Sequence, residues 1–140
     1  MRKIIGYTTG VFDLFHMGHL NILRKAKEHC DYLIVGVTTD EIAFEMKRKA
    51  PVIPFEERLS IVANIKCVDQ VVAKEEIDNV IAWKNLRFNV FFKGDDWKGT
   101  EKGNALEKSF NSLGVKVVYF PYTEGTSSTH LQEVLKKMLG

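Results

Sequence analysis

His16 and His19 stand three residues apart around Gly18 in the stretch TTGVFDLFHMGHLNILRK. An apolar, strand-like run gives way there to a helical pattern. Imidazoles at that spacing could hold a metal, exchange protons or donate hydrogen bonds to an anion. Zinc needs at least three protein ligands with compatible geometry. The other histidines are only His29 and His130, and the cysteines Cys30 and Cys67 sit in core-like settings. The metalloprotease pattern would also place its histidines four apart with an intervening Glu. A helix N-terminus, by contrast, offers unpaired N–H groups and a partial positive charge, and so attracts phosphate. Gly10 and Gly18 would let backbone approach a ligand closely, and imidazole N–H groups would add donors in the same direction. The plainer alternative is a polar strand–helix turn whose histidines merely cap the helix.

Three further segments carry polar chemistry. Lys47, Arg48 and Lys49 cluster ahead of a stretch bounded by Pro51 and Pro54 that leads to Arg58. Such a run suits a small anionic ligand or a solvated face. Phe92-Lys93-Gly94-Asp95-Asp96-Trp97 reads generically as a turn with solvated carboxylates and a packing Trp. Tyr122-Thr123-Glu124-Gly125-Thr126-Ser127-Ser128-Thr129 opens the last helix, where Ser and Thr are preferred caps, and Thr129 to Gln132 has capping-box spacing. Between these, Lys66-Cys-Val-Asp69 leads into a short strand, and Asp69 could cap or pair locally.

The elements that must position these residues follow from periodicity. Strands are expected at Lys3–Thr9, Tyr32–Thr38, Gln70–Ala73, Asn89–Lys93 and Val115–Phe120. Helices are expected from near Gly18, over 40–49, over Phe55 to about Lys66, Glu76–Leu86, Lys102–Leu113 and Ser128–Leu139. Strands alternating with helices imply right-handed βαβ crossovers. The expected fold class is therefore α/β: a Rossmann-like, doubly wound, mostly parallel five-stranded sheet with helices on both faces. In such sheets ligands bind outside the carboxyl ends of the strands. Thr8–His19, Thr38–Lys49, Lys93–Lys98 and Tyr122–Thr129 all fall at those ends, so one site built from four loops is the economical reading.

Composition agrees with a single domain over residues 1–140. The chain has 140 residues, 45% of them hydrophobic and 27% charged, with a formal net charge of +2. Twenty basic against 18 acidic residues give no nucleic-acid signature. No run approaches the roughly 20 apolar residues of a membrane helix, and no cleavage signal follows MRKIIGYTTG. A cytoplasmic protein with buried free thiols is the expectation.

The motifs carry a resemblance. GVFDLFHMGH resembles the first motif of the HxGH nucleotidylyltransferase superfamily, whose members transfer a nucleoside monophosphate from a triphosphate to a phosphorylated acceptor. By that resemblance His16 and His19 would stabilise charge at the transferred α-phosphate, with Thr9, Gly10, Val11, Phe12 and Gly18 around the nucleotide. The basic segment looks like the lysine loop and helix-borne arginine of cytidylyltransferases. Lys47 or Lys49 would then approach the phosphates and Arg58 the acceptor phosphate. Lys66-Cys-Val-Asp69 resembles the "R-Y-V-D" segment, which would add Lys66 and Asp69 to the acceptor side. Lysine keeps the charge of that arginine but loses its planar fork. GDDW is close to the fourth-strand loop of glycerol-3-phosphate cytidylyltransferases, which implies CTP and nucleotide contacts from Asp95, Asp96 and Trp97.

The last segment resembles "R-T-E-G-I-S-T-T", so Thr123, Glu124, Gly125, Ser127, Ser128 and Thr129 would hold the triphosphate. Tyr122 stands where that signature has arginine. Heptose-1-phosphate adenylyltransferases also lack the arginine and share a Lys-Gly pair after the fourth strand. The resemblance thus implies CMP transfer from CTP to a phosphorylated small alcohol, with Mg²⁺ carried on the nucleotide and a homodimer as the working unit. An adenylyltransferase acting on a sugar phosphate or FMN, a catalytically weak nucleotide-binding module, and a flavodoxin-like binding domain are the alternatives.

Overall fold

The computed structural model describes residues 3–121 and 128–139, with the side chains of Ser128 and Thr129 left aside. Its five strands are β1 (Ile5–Gly10), β2 (Tyr32–Thr38), β3 (Gln70–Lys74), β4 (Val90–Gly94) and β5 (Lys116–Phe120). They form one parallel sheet in the order β3-β2-β1-β4-β5. The chain builds outward from β1 to β3, then returns to the other side of β1 for β4 and β5. The switch point therefore lies beside β1, whose carboxyl end leads to the histidines.

The helices are α1 (Met17–Glu28), α2 (Asp40–Lys47), α3 (Phe55–Ala63), α4 (Asn79–Leu86), α5 (Glu101–Asn111) and α6 (Ser128–Leu139). Strand alternation splits the core into two layers. Leu33, Val35, Val37, Phe92 and Phe120 face Leu23 and Ala26 of α1 and Val62 of α3. Tyr7, Ile34 and Phe91 face Phe110 of α5 and Phe88, with Val80 and Leu86 of α4 against them. Aromatic rings fill both layers: Tyr7 stacks on Phe88 at 4.8 Å and Phe92 on Phe120 at 5.6 Å.

The expected α/β architecture is present, with local differences. α3 stops at Ala63 rather than near Lys66, because Asn64 ends it with N–H bonds to Ile61 and Val62 carbonyls. α4 starts at Asn79 rather than Glu76, because the Asp78 carboxylate caps it by accepting from Val80 N–H at 2.9 Å. The loop after β4 contains a 3-10 turn, Asp95–Trp97. Cys30 and Cys67 are free and half-buried rather than fully buried. Among the described residues no helix is long and apolar enough to cross a membrane.

Candidate active site

β1 ends at Gly10, and the chain turns sharply before α1. Phe12 and Leu14 both adopt left-handed backbone, with φ of 56° and 49°. Two such non-glycine residues so close together are costly, so neighbouring contacts must hold the turn. Phe12 is 7% exposed within the core layer of α1 and α3. Asp13, only 4% exposed, faces inward. Its carboxylate accepts from the N–H groups of Val52 and Ile53 at 2.8 and 2.9 Å and from Gln132 Nε2 at 3.0 Å. One buried acid thus joins the turn, the segment after the basic cluster, and α6.

His16 is the N-cap of α1 and His19 its third residue. His16 Nδ1 accepts from Gly18 N–H at 3.0 Å, and His19 Nδ1 accepts from His16 N–H at 3.2 Å. This is a capping box in which imidazoles replace the usual Ser/Thr and Glu/Gln. The rings stack at 4.0 Å, with His19 also against Phe12 and Phe15 at 5.4 and 5.2 Å. With both Nδ1 atoms accepting, each neutral ring carries its proton on Nε2. Burial lowers the pKa of both rings. That of His19 falls to about 4, lowered further by His16 and opposed by Asp13. At neutral pH the pair is uncharged and presents two Nε2–H donors beside the first turn of a helix. Capping and anion binding, opposed as readings of the sequence, use different nitrogens of the same rings.

Arg58 does not take the acceptor-side position expected of it. It is 1% exposed. Its Nε donates to Ile53 O at 2.8 Å, Nη1 to Val11 O and Thr38 O at 2.7 Å each, and Nη2 to Asp40 at 2.6 Å. A guanidinium so engaged has its fork occupied by protein oxygens. Arg58 instead ties together the loops after β1 and β2 and the segment before α3.

Lys66 and Asp69 are also placed elsewhere. They precede the amino end of β3, about 16 Å of strand away from its carboxyl end. Within one chain they lie at the opposite end of the sheet from the histidines. Asp69 accepts from Leu33 N–H at 2.7 Å and pairs with Lys27 at 2.5 Å. Lys66 is exposed and lines a shallow groove with Leu20 and Arg24. Both positions follow from the parallel register, which sends a residue before a strand to the sheet's amino edge.

The remaining expected residues stand at the carboxyl edge. Thr9, Gly10 and Val11 end β1 and start the turn, and Gly18 is buried in the first turn of α1. Lys47 ends α2, Arg48 caps it in left-handed conformation, and Lys49 follows; both lysines are exposed. Asp95 and Asp96 are exposed on the 3-10 turn after β4. The Lys93 ammonium lies 4.0 Å from the centre of the Trp97 ring. A Cβ added at Gly103 would run into the carbonyl oxygen of Trp97. Glycine there lets the turn sit directly on the first turn of α5. Thr123, Glu124, Gly125 and Ser127 lie outside the described residues, as do the side chains of Ser128 and Thr129. Gln132, expected to pair with Thr129, binds Asp13.

Asp13, Asp40 and Lys74 were not singled out from the sequence. For Asp13 a signal existed: an acid enclosed by Phe12, Leu14 and Phe15 must either face water or accept buried N–H groups. Among the described residues no three His, Cys, Asp or Glu side chains form a metal cluster.

Comparison with known proteins adds family identity to this geometry. Residues 7–134 match the profile of the family described as Cytidylyltransferase-like. The chain is 38% identical over 136 residues to glycerol-3-phosphate cytidylyltransferase of Bacillus subtilis (strain 168), covering 95% of this chain and 96% of that one. It is 34% identical over 139 residues to bifunctional protein HldE of Geobacter sulfurreducens, covering 99% of this chain but 28% of that one. Among solved structures, a lipopolysaccharide core biosynthesis protein from Thermoplasma volcanium superposes with a TM-score of 0.74 and 28% identity, over 89% of this chain and all of that one. With the parallel sheet, the HxGH turn at its switch point, the family match over residues 7–134 and the end-to-end similarity to the Bacillus subtilis enzyme together, the chain belongs to the cytidylyltransferase-like family of nucleotidyltransferases.

Proposed function

We propose that the protein transfers CMP from CTP to a phosphorylated small alcohol, glycerol 3-phosphate, giving the CDP-alcohol and pyrophosphate. The observation that carries the reading is the histidine pair, whose Nδ1 atoms are committed to the helix end and whose Nε2–H groups remain as donors. Full-length similarity to glycerol-3-phosphate cytidylyltransferases supports the choice of substrates.

An oxygen of the acceptor phosphate attacks the α-phosphorus of CTP, and the bond from that phosphorus to the bridging oxygen of the pyrophosphate breaks. The attacking oxygen is already anionic at neutral pH, so no general base is needed. Positioning and charge stabilisation remain as the protein's task. His16 and His19 donate from Nε2 toward the α-phosphate oxygens and the departing pyrophosphate. Neutral imidazoles suit this, because they remain donors without competing for the proton of a phosphate. Lys47 or Lys49 supplies a mobile cation, and Ser127–Thr129 with the N-terminus of α6 hold the triphosphate. Asp95, Asp96 and Trp97 serve the cytosine side. Magnesium arrives as part of the nucleotide substrate, held by phosphate oxygens and water.

A second reading, adenylyl transfer to a sugar phosphate, is favoured by the Lys93-Gly94 pair and by similarity to HldE. Pyrophosphate release measured with CTP and then ATP, across phosphorylated alcohols and sugars, separates the two. Turnover with CTP and glycerol 3-phosphate is expected; turnover with ATP alone rejects the reading. A homodimer working in the cytoplasm goes with the proposal, and sedimentation velocity tests the dimer.

A further inference from the structure

Few side chains seat α6 on the rest of the chain. From His130 to Leu139 all are exposed except Leu131 and Gln132, which are half-buried. The exposed ones include Val134, Leu135, Met138 and Leu139, so apolar burial along this stretch comes mainly from Leu131. Gln132 supplies a polar tie instead. Its Nε2 donates to Asp13 Oδ2 at 3.0 Å, across 119 residues of sequence. Asp13 is 4% exposed, so the bond runs from the helix to a buried carboxylate. Hydrogen bonds to a charged group are stronger than neutral ones, and removing the donor leaves the buried charge less well satisfied.

The same carboxylate holds two other segments. Oδ2 also accepts from Val52 N–H and Oδ1 from Ile53 N–H, while Asp13 itself lies in the turn that leads to His16. The histidine turn, the segment after Lys47 and Lys49, and α6 thus meet at one acid. These are the three elements given phosphate contacts above. Gln132 stands one turn along α6 from position 128, and residues four apart share one face of a helix. The face that Gln132 presents to Asp13 is therefore, at the helix start, the face toward the turn that carries Asp13. Free N–H groups at a helix start serve a phosphate only where they are aimed at it. The Gln132 bond fixes how α6 is set against the turn.

We propose that Gln132 is a positioning residue for the nucleotide: through its bond to Asp13 it holds the amino end of α6 beside His16 and His19, so that both engage one triphosphate. This rests on the function proposed above. Gln132 touches no substrate, and its effect passes through Asp13. Nucleotide binding depends on it, and acceptor binding does not. The chemistry at position 132 is specific: an amide or an ammonium donates to the carboxylate, whereas a second carboxylate repels it.

The test uses the full chain and the variants Gln132→Glu, Gln132→Lys and Gln132→Ala. Gln, Glu and Lys have nearly equal helix propensity, so a difference among them reads the contact with Asp13 and not the helix. Calorimetric titration with magnesium-loaded CTP and with inorganic tripolyphosphate, without acceptor, reads binding independently of turnover. Gln132→Glu is expected to weaken both ligands by roughly tenfold or more, and Gln132→Ala by about threefold or more. Gln132→Lys restores a donor and is expected to bind within about twofold of wild type. In pyrophosphate release Gln132→Glu should raise the KM for CTP by about the same factor and leave that for glycerol 3-phosphate within about twofold, a split that general loosening of the fold would not produce. Thermal melts accompany each variant; should Gln132→Glu fail to fold, the contrast between Ala and Lys decides. Wild-type affinity in the Glu and Ala variants, or equal weakening by Lys and Ala, overturns the proposal. Binding of neither ligand by the wild type overturns it together with the proposed function. Lack of turnover with CTP, while tripolyphosphate binding still follows residue 132, would count against the transfer reaction and not against this role.

Discussion

Replacing His16 by Asn separates the two jobs of that ring. Asn Oδ1 stands as far from Cβ as histidine Nδ1, so it can accept the Gly18 N–H that His16 accepts at 3.0 Å. Asn is also among the best N-cap residues. It has no atom in place of Nε2. His16→Asn is therefore expected to melt within a degree or two of wild type. Loss of one preorganised donor to developing phosphate charge costs about 2.7–4 kcal/mol, roughly a 10²–10³-fold fall in turnover number. His16→Ala removes the cap as well, at about 1 kcal/mol, which for this length lowers the melting temperature by roughly 2–4 °C. The assay is pyrophosphate release at saturating CTP and acceptor, alongside thermal melts of all three proteins. A turnover number within threefold of wild type in a normally melting His16→Asn would refute the role of Nε2.

Three other outcomes follow from the same geometry. An unfolded histidine takes its proton near pH 6.5, whereas His19 in the fold does so only at about 4. Stability is thus fully present above pH 6.5 and is lost on acidification toward 4, by on the order of 3 kcal/mol. Urea midpoints across that range, compared with His19→Gln, measure it, and an NMR titration midpoint near 6.5 would contradict it. Arg58→Met leaves the carbonyls of Ile53, Val11 and Thr38 without their donor and is expected to cost roughly 3 kcal/mol in urea unfolding. Its turnover should fall as well, because the loops it joins flank the site. Asp69→Asn should lose about 1 kcal/mol at most and leave both Michaelis constants within twofold; a tenfold rise in the acceptor KM would return Asp69 to the site.

The sheet could be read from the sequence because its information is periodic. YLIVGVT is apolar at every position a doubly covered strand requires, and its bounds, Tyr32–Thr38, are those observed. The histidine turn was legible because glycines, imidazoles and a strand–helix junction coincide there. Arg58 was misplaced for a physical reason. Charge in a sequence suggests exposure, but a guanidinium surrounded by loop carbonyls can be buried, and which carbonyls turn inward depends on contacts between segments 20 to 47 residues apart. Asp69 leads into β3 by sequence, and only the parallel register of β3 on β2 shows that this end of the strand lies at the sheet edge away from the histidines within one chain.

The seating of Trp97 on Gly103 has a mechanical consequence. With backbone pressed against backbone, the Asp95–Trp97 turn rests directly on α5, and any side chain larger than glycine at position 103 would push the two apart. The facing rim, with Lys47 and Lys49, is moored by side-chain bonds from Asp13 to Val52 and Ile53 and from Arg58 to Ile53. One rim of the cleft is thus held backbone to backbone, and the other is held by side-chain hydrogen bonds at its far end.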